Sequence, residues 1–417
     1  MKYVIIGNSA AAVGCIEGLR KCDKSGSITV ISDEKHHVYS RPLISYYLAG
    51  KVKPENMVYR KKDFYEKNNV TTLFDVKAVS IDPKKKTVAL SDGGSVPYDK
   101  LLIATGSSPF VPPTGGLKNQ SNVFTFLKYD DALGIEKLIN PQSNVVVVGA
   151  GLIGLKAAEG LAPVTGSVHV VEMATRVLPM ILDEQAAAPV QQRLEEKGIT
   201  FHLGLTVDTV VGDEKVEKVI LKDGTELACD VLVMGVGVRP NVAEAKAAGV
   251  DVNRGIIVDE AMRTNVNDIY AAGDVTEGTD MITGERKIMA LWPNAYAQGR
   301  AAAYDMCGRK DEEFDGLFPM NAVGFFGLSI ITAGVQGGDG VEVLTKQNAK
   351  TGAAKRFFVK DDKLVGMILV GDVDRAGIYT YLISEKIPLS SLDKALTDDN
   401  FGLNALGYER MKQRISS

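Results

Sequence analysis

The chain has few cysteines, and no two of them form a Cys-x-x-Cys pair. Its 417 residues include four cysteines, at positions 15, 22, 229 and 307. A disulfide framework or a sequence-local metal site needs ligands at short, regular spacing. We therefore expect neither a disulfide framework nor a bound metal, and we interpret each cysteine as a small core or surface residue.

A long apolar run and an excess of positive charge are also absent. No stretch reaches the roughly 18 uninterrupted apolar residues of a membrane span, and no basic and apolar leader opens the chain. The formal charge is −4, with 24% charged and 45% hydrophobic residues. These features argue against membrane and nucleic-acid partners and favour a cytoplasmic protein. The length predicts two or three domains with large cores.

Two nucleotide-binding fingerprints stand out in what is present. VIIGNSAAA opens the chain at residues 4–12, and VVVVGAGLIG follows at residues 145–154. In each, a β-branched run predicts a buried parallel strand, and the glycines that follow permit a tight turn into a helix. Such a turn brings backbone N–H groups and a helix N-terminus to a pyrophosphate. Two dinucleotides are therefore expected on one chain.

The second fingerprint is complete and the first is degraded. Gly149, Gly151 and Gly154 fit GxGxxG, and Glu172 ends the strand VHVVE. A carboxylate there accepts hydrogen bonds from a ribose 2′-OH and repels a 2′-phosphate, which favours NAD over NADP. In the first copy small residues, Ser9 and Ala12, replace the second and third glycines.

Further segments supply candidate ribose ligands for the first nucleotide fold and mark where each nucleotide-binding unit ends. Asp33 and Glu34 follow the strand SITVIS and are candidates for the first ribose carboxylate. YDKLLIATGSSPFVPP indicates the exit from the first domain near Pro113, and VLVMGVGVRPN indicates the end of the second nucleotide unit. IYAAGDV at 269–275 then indicates a return to the first domain, although Asp274 alone would fit a helix N-cap.

The order GNSAAA, ATG, GAGLIG, VEM, GVGVRPN and AAGD resembles the two-dinucleotide flavoprotein family, which includes disulfide reductases, NADH oxidases, rubredoxin and ferredoxin reductases and the flavin part of nitrite reductases. The resemblance implies an α/β fold with two Rossmann-like domains and a C-terminal α+β interface domain. It implies an FAD domain at 1–113 and 240–317, an inserted NAD(H) domain at 114–239 and an interface domain at 318–417.

The resemblance also implies which residues bind the cofactors. For FAD these are Gly7, Ser9, Ala10, Ala12, Asp33, Glu34, Arg41, Pro42, Ala78, Thr105, Gly106, Gly273, Asp274, Pro293 and Ala295. Asp274 would reach the ribityl chain and phosphate, Ala78 would offer its backbone to the adenine, and Pro293 to Ala295 would lie near the flavin ring. For NAD(H) they are Gly149, Gly151, Ile153, Gly154, Glu172 and Gly235.

The segment YSRPLIS at 39–45 separates two branches of that family. Thiol-using members carry their redox cysteine there, whereas this chain has Arg41 and Pro42, as in rubredoxin and ferredoxin reductases. The chemistry then needs no protein nucleophile or general acid, because nicotinamide and flavin carry it. Arg41 is our candidate for a cation that stabilises reduced flavin. A surface arginine paired in a turn is the alternative.

A second departure concerns residue 156. Many family members have a glutamate there, paired with a lysine near the RPP segment, whereas this chain has Lys156 and, at the second position, Tyr46. We hypothesise that Lys156 acts beside the flavin and raises its potential, since a nearby cation stabilises the reduced, charged form. The alternative is a lysine that points to solvent.

The C-terminal part changes in composition. KRFFVKDDKLVGMILVGD alternates like a hairpin around DDK, and Phe325 and Phe326 could gate the flavin or simply be core. The tail from Asp393 to Ser417 mixes apolar and basic residues, so it could clasp a partner subunit or form an exposed terminal helix.

The sequence thus predicts an FAD-dependent NADH:acceptor oxidoreductase that exchanges electrons with a small redox protein or an iron–sulfur subunit, in either direction, including NAD reduction. It would act as a homodimer or as a subunit of a hetero-complex. A peroxide-forming NADH oxidase is the main alternative, and a non-enzymatic nucleotide-binding regulator is a third. The acceptor, the direction and the oligomeric state are open at this point.

Overall fold

The computed structural model describes residues 1–309, 314, 316–348 and 352–407. The chain divides into two compact units, one of Met1–Phe110 with Val238–Leu317 and the other of Val111–Gly237 with the segment from Phe318 onward. Residues 408–417, the last part of the predicted tail, lie outside the described residues.

The first segment alternates strands with short helices. Its elements are β1 (Lys2–Ile6), α1 (Ala10–Cys22), β2 (Ser27–Ser32), α2 (Ile44–Leu48), α3 (Phe64–Lys67), β3 (Val70–Phe74), β4 (Ala78–Asp82), β5 (Thr87–Leu90), β6 (Ser95–Pro97), β7 (Lys100–Ile103) and β8 (Ser107–Pro109).

The second segment repeats the strand, glycine turn and helix order. Its elements are β9 (Val123–Thr125), α4 (Tyr129–Glu136), β10 (Asn144–Val148), α5 (Leu152–Leu161), β11 (Ser167–Glu172), α6 (Glu184–Glu195), β12 (Ile199–Leu203), β13 (Val207–Val211), β14 (Lys218–Leu221), β15 (Glu226–Ala228) and β16 (Val231–Met234).

The last two segments complete the two units. Their elements are β17 (Val238–Pro240), α7 (Ala243–Ala247), β18 (Ile256–Ile257), β19 (Ile269–Ala271), β20 (Thr276–Thr279), β21 (Arg286–Ile288) and α8 (Trp292–Met306), followed by β22 (Met320–Phe325), β23 (Leu328–Gly334), β24 (Glu342–Gln347), β25 (Ala354–Lys360), β26 (Lys363–Val370) and α9 (Ala376–Ser384).

Each unit contains a five-stranded parallel sheet. The strand order is β19-β7-β1-β2-β3 in the first unit and β12-β11-β10-β16-β9 in the second. The apolar runs that predicted these strands are buried: four of the five residues of β1 and the middle three of β10 lie in the core. Strands β1 and β10 each pair with the next strand on one side and with a later strand on the other. The turns after them therefore lie at topological switch points, where open α/β sheets bind ligands.

Antiparallel sheets accompany the two parallel ones. In the first unit β4, β5 and β6 form a meander, and β8 pairs with β17. In the second unit β22-β23-β26-β25-β24 form a five-stranded sheet. The hairpin predicted around DDK is confirmed, because β25 and β26 pair through Lys360 and Lys363 across Asp361 and Asp362.

The α/β class and the C-terminal sheet are thus confirmed. No helix among the described residues is long and apolar enough to cross a bilayer. The predicted domain boundaries and the ligand of each domain stay predictions.

Candidate cofactor sites

The turn after β1 is closed by the neighbouring strand. Gly7 has φ +116, and a Cβ on it would lie 2.0 Å from the carbonyl oxygen of Ala104, just past β7. Its N–H donates to the carbonyl of Ile31 over 2.8 Å. A side chain is therefore excluded here, and the chain is forced into the tight turn that starts α1.

The N-terminus of α1 fits a phosphate group. Its N-cap, Ser9, makes no side-chain capping hydrogen bond, and the first turn holds no acidic residue. The first N–H groups of a helix have no acceptor within the helix, and they carry its positive partial charge. Small residues, Ala10 and Ala12, follow directly, so no bulky side chain would separate these N–H groups from an anionic ligand.

Arg41 belongs to a buried polar cluster. Its Nη2 donates to Oε1 of Glu34 over 2.6 Å, and the Tyr39 hydroxyl donates to Oε2 of the same carboxylate over 2.7 Å. The guanidinium also lies 5.3 Å from the centroid of the Tyr39 ring. The side chains of Arg41 and Glu34 are 26% and 10% exposed. Glu34 therefore binds Arg41 and Tyr39, while the other candidate acid, Asp33, is exposed.

Asp274 interacts with the same cluster. Burial raises the pKa of its carboxyl, and Arg41 and a hydrogen bond from Ser107 oppose that increase. Burial disfavours the charge on Arg41, but Tyr39, Glu34 and Asp274 outweigh it and raise the pKa of the guanidinium. Arg41 is thus a permanent cation that the fold aims at the end of β19. The structure thus brings together Arg41, Ser107 and Asp274, which lie far apart in sequence.

Residues of α8 hold the turn that presents Asp274. Gln298, which is 1% exposed, accepts a hydrogen bond from the N–H of Gly273 over 2.8 Å. A Cβ on Gly273 would lie 3.3 Å from the Cβ of Ala11 and 3.6 Å from that of Ala295. The predicted residues Gly273 and Ala295 therefore meet at the start of α1. Sequence analysis missed Gln298, because a glutamine inside a helix carries no local signal of this role.

Asn241 is a second missed residue, although it ends the quoted motif GVGVRPN. Its side-chain Nδ2 donates to the backbone carbonyl of Thr105 over 2.9 Å, and its backbone carbonyl accepts a hydrogen bond from the Thr105 hydroxyl over 2.9 Å. Its backbone N–H donates to the carbonyl of Gly106 over 3.0 Å. Asn241 thus fixes the ATG turn, and a Cβ on Gly106 would meet nothing within 4 Å.

The remaining predicted FAD residues are more dispersed. Pro42 lies in the 3-10 turn Arg41–Leu43, and Pro293 lies in the first turn of α8. Ala78 begins β4 and pairs with Leu90 of β5.

The three glycines of the turn after β10 differ in whether the surrounding structure leaves room for a side chain. A Cβ on Gly149 would lie 2.6 Å from the carbonyl oxygen of Gly235, and one on Gly154 would lie 1.9 Å from that of Gly149. A Cβ on Gly151, the N-cap of α5, would meet nothing within 4 Å. The first two glycines therefore serve packing, whereas Gly151 opens the helix N-terminus to a ligand. This cradle fits a pyrophosphate.

Glu172 is fixed beside that turn. Its two carboxylate oxygens accept the backbone N–H groups of Ala150 and Ala174 over 2.7 and 2.8 Å. An anionic acceptor at the end of β11 is what a ribose diol requires. Ile153, in the first turn of α5, is partly buried.

Lys156 does not point to solvent, so that alternative is wrong. Its side chain is 18% exposed and forms an ion pair with Glu159, which is 8% exposed. Its Nζ lies 3.3 Å from the Gly324 carbonyl and 5.5 Å from the centroid of the Phe325 ring. Phe325 is fully buried, which fits the core interpretation. The N–H of Phe326 donates to Glu159 over 2.8 Å, so α5 is tied to the β22–β23 turn.

Comparison with known proteins shows the family to which the chain belongs. Residues 1–299 match the family model of pyridine nucleotide-disulphide oxidoreductases, and residues 319–387 match the rubredoxin NAD+ reductase C-terminal domain. The chain is 32% identical to the NADH-dependent phenylglyoxylate dehydrogenase subunit epsilon of Aromatoleum evansii, over 99% of this chain and 97% of that protein.

Two further similarities extend this result. The chain is 32% identical to the assimilatory nitrate reductase electron transfer subunit of Bacillus subtilis, over 92% of this chain but 49% of that protein, so it spans about half of that relative's length. The solved structure of the covalent putidaredoxin reductase–putidaredoxin complex superposes with a TM-score of 0.86 at 26% identity, covering 100% of this chain and 98% of that one. The chain belongs to the pyridine nucleotide-disulphide oxidoreductase family and is an oxidoreductase with FAD and NAD(H) as cofactors.

Proposed function

We propose that this chain is an NADH:acceptor oxidoreductase that exchanges electrons with a small redox protein or an iron–sulfur partner subunit, in either direction. The names of its relatives support this, since they include an electron transfer subunit, a dehydrogenase subunit and a reductase solved with putidaredoxin. The match of residues 319–387 to the rubredoxin NAD+ reductase C-terminal domain points the same way.

The observation that carries the proposal is the residue at position 41. Where thiol-using relatives are expected to carry a cysteine, this chain holds an arginine that is ion-paired to Glu34 and interacts with Asp274. The four cysteines lie elsewhere in the chain, and Cys15 and Cys229 are buried. No protein thiol is therefore available at that position to relay electrons.

The first unit would hold FAD, which supplies hydride acceptance and one-electron release when it is bound. The turn of Gly7, Ser9, Ala10 and Ala12 would bind the pyrophosphate through backbone N–H groups. Arg41 would supply positive charge next to the reduced ring, and its partners would keep that cation in place. The other proposed contacts are Asp33, Glu34, Pro42, Ala78, Thr105, Gly106, Gly273, Asp274, Pro293 and Ala295.

The second unit would bind NAD(H). Gly149, Gly151, Ile153 and Gly154 would receive the pyrophosphate at the start of α5, and Glu172 would accept the ribose hydroxyl groups. Gly235 would lie beside the nicotinamide half. The NADH preference rests on the fixed carboxylate of Glu172, since a 2′-phosphate would bring negative charge against it.

Lys156 would modulate the flavin potential, with an effect reduced by its partner. Because Glu159 neutralises the ammonium group, the field at a distance is that of a pair rather than of a lone cation. The net effect therefore depends on which member of the pair lies nearer the flavin.

We propose that the chain is a subunit of a larger assembly. The relative covered over 97% of its length is named a subunit, which favours a subunit of a hetero-complex over a homodimer. The domain assignment of FAD to 1–113 and 240–317, NAD(H) to 114–239 and interface to 318–417 belongs to this proposal. A cytoplasmic location belongs to this proposal too, since NAD(H) is an intracellular coenzyme.

Anaerobic titration with NADH tests the proposed electron path. FAD as the single redox centre predicts that the oxidised, desalted protein takes up one two-electron equivalent per FAD. Alkylation of the accessible thiols should leave the rate of flavin reduction unchanged. Uptake of a second equivalent, or loss of hydride transfer on alkylation without unfolding, would mean that a thiol takes part.

A further inference from the structure

Helices α1 and α8 approach each other closely in the first unit. A Cβ on Gly299 would lie 1.9 Å from the carbonyl oxygen of Ala11, and a Cβ on Gly18 would lie 2.7 Å from the Cβ of Ala303. From the first contact to the second, both helices advance toward their C-terminal ends. One further turn reaches Cys22, the last residue of α1, and Cys307, the residue after α8.

The two thiols are neighbours at that point. Cys22 and Cys307 lie one turn beyond the Gly18–Ala303 contact on their two helices, and the Cys22 thiol is close enough to influence the ionisation of the Cys307 thiol. Sγ of Cys307 also lies 3.7 Å from the Tyr3 hydroxyl. Both cysteines are free and only partly buried, so small reagents can reach them. Burial, together with the neighbouring Cys22, raises the pKa of the Cys307 thiol to about 11.

We propose that Cys22 and Cys307 form a reversible disulfide that joins the C-terminal ends of α1 and α8. A disulfide needs Cα atoms within roughly 4.4 to 6.8 Å, which only closely packed elements provide. The Gly18–Ala303 contact supplies that proximity one turn earlier. Because both cysteines lie at helix ends, the backbone can adjust to the bond without breaking a helix.

The oxidant is a low-molecular-weight disulfide such as oxidised glutathione. One protein thiolate attacks a glutathione sulfur, forming a mixed disulfide and releasing one glutathione thiol. The second protein thiol loses its proton and attacks the cysteine sulfur of the mixed disulfide. The protein disulfide forms, and the second glutathione leaves as a thiol. The two cysteines lose two protons and two electrons, and one oxidised glutathione becomes two reduced ones.

The other two cysteines do not fit this role. Cys15 lies two turns earlier on α1 and is fully buried, and burial raises its pKa. Cys229 lies in the second unit at 2% exposure, and burial raises its pKa to about 12. Because both thiols are buried, reagents cannot reach them, whereas Cys22 and Cys307 are only partly buried. Cys229 therefore supplies a matched control.

The test is a thiol count on the holoprotein, which does not depend on the proposed electron acceptor. The reduced, desalted protein is incubated with oxidised glutathione, unfolded in acid and titrated for free thiols. The wild type should lose two of its four thiols, and peptide mass spectrometry should show a Cys22–Cys307 link with no glutathione attached. Cys229→Ser should also lose two thiols.

The single variants separate a bridge from independent reactions. Cys22→Ser and Cys307→Ser should each retain one glutathione adduct on the remaining cysteine, because the second step is blocked. Oxidation should raise the unfolding temperature of the wild type and of Cys229→Ser, and it should not raise that of Cys22→Ser. Four free thiols in the treated wild type, stable glutathione adducts on it, or a link between two chains would overturn the proposal.

Discussion

Alanine at Gly154 should lower the stability of the protein, whereas alanine at Gly151 should leave stability unchanged and weaken NAD binding. At Gly154 the new Cβ would lie 1.9 Å from the Gly149 carbonyl oxygen, so the turn must shift. Forced overpacking of this kind should lower the free energy of unfolding by about 3 kcal/mol. At Gly151 φ is −76, and a Cβ would meet no atom within 4 Å, so stability should change by less than about 0.5 kcal/mol.

The open space at Gly151 is where the pyrophosphate is proposed to lie. A methyl group there should cost about 1 to 3 kcal/mol of binding, or roughly 5- to 150-fold in the dissociation constant. Calorimetric titration with NAD+ measures this, because NAD+ does not react with oxidised FAD. Thermal unfolding and FAD content serve as controls. Unchanged NAD+ affinity in a folded Gly151→Ala protein would refute the assignment of this cradle.

Three further predictions concern charged and titratable groups. Glu172→Gln should reduce the preference of flavin reduction for NADH over NADPH by about 10-fold or more, since it removes the charge that repels a 2′-phosphate; an unchanged rate ratio in stopped-flow kinetics would contradict this. Lys156→Glu should lower the flavin midpoint potential and Glu159→Gln should raise it in redox titrations, and no shift in either would place the pair away from the flavin. Burial lowers the pKa of both His169 and His202, whose ring nitrogens lie 3.1 Å apart. Below the ordinary pKa near 6.5 the unfolded chain therefore binds more protons, so the free energy of unfolding should fall as the pH drops from about 7 to 5. His202→Gln should flatten that part of the urea-unfolding profile, and an unaltered slope would show that other groups set it.

The parallel sheets and their glycine turns could be predicted because the information is local. A β-branched run followed by glycines specifies both a buried strand and the turn after it, as at β1 and β10. The DDK hairpin was predictable for the same reason: alternating residues flank a short turn.

Side-chain partners could not be predicted, because the sequence does not show which of several polar residues, near or distant, a side chain meets in the folded protein. Nothing near Arg41 in the sequence indicates that Glu34 accepts its hydrogen bond or that Asp274 faces it. Lys156 was compared with the pattern of relatives, but its partner, Glu159, lies one turn further along the same helix. The thiol pair of Cys22 and Cys307 arises from the packing of two helices that are distant in sequence, so no sequence motif marks it.

The central claim is that electrons leave the flavin for a protein acceptor without a thiol relay. The most direct test is to reduce the purified protein anaerobically with NADH and to time flavin reoxidation by oxygen and, separately, by a one-electron protein acceptor such as rubredoxin. Reoxidation by the protein acceptor should be rapid, and reoxidation by oxygen should be slow. Rapid reoxidation by oxygen with release of hydrogen peroxide, and none by the protein acceptor, would contradict it and indicate an NADH oxidase.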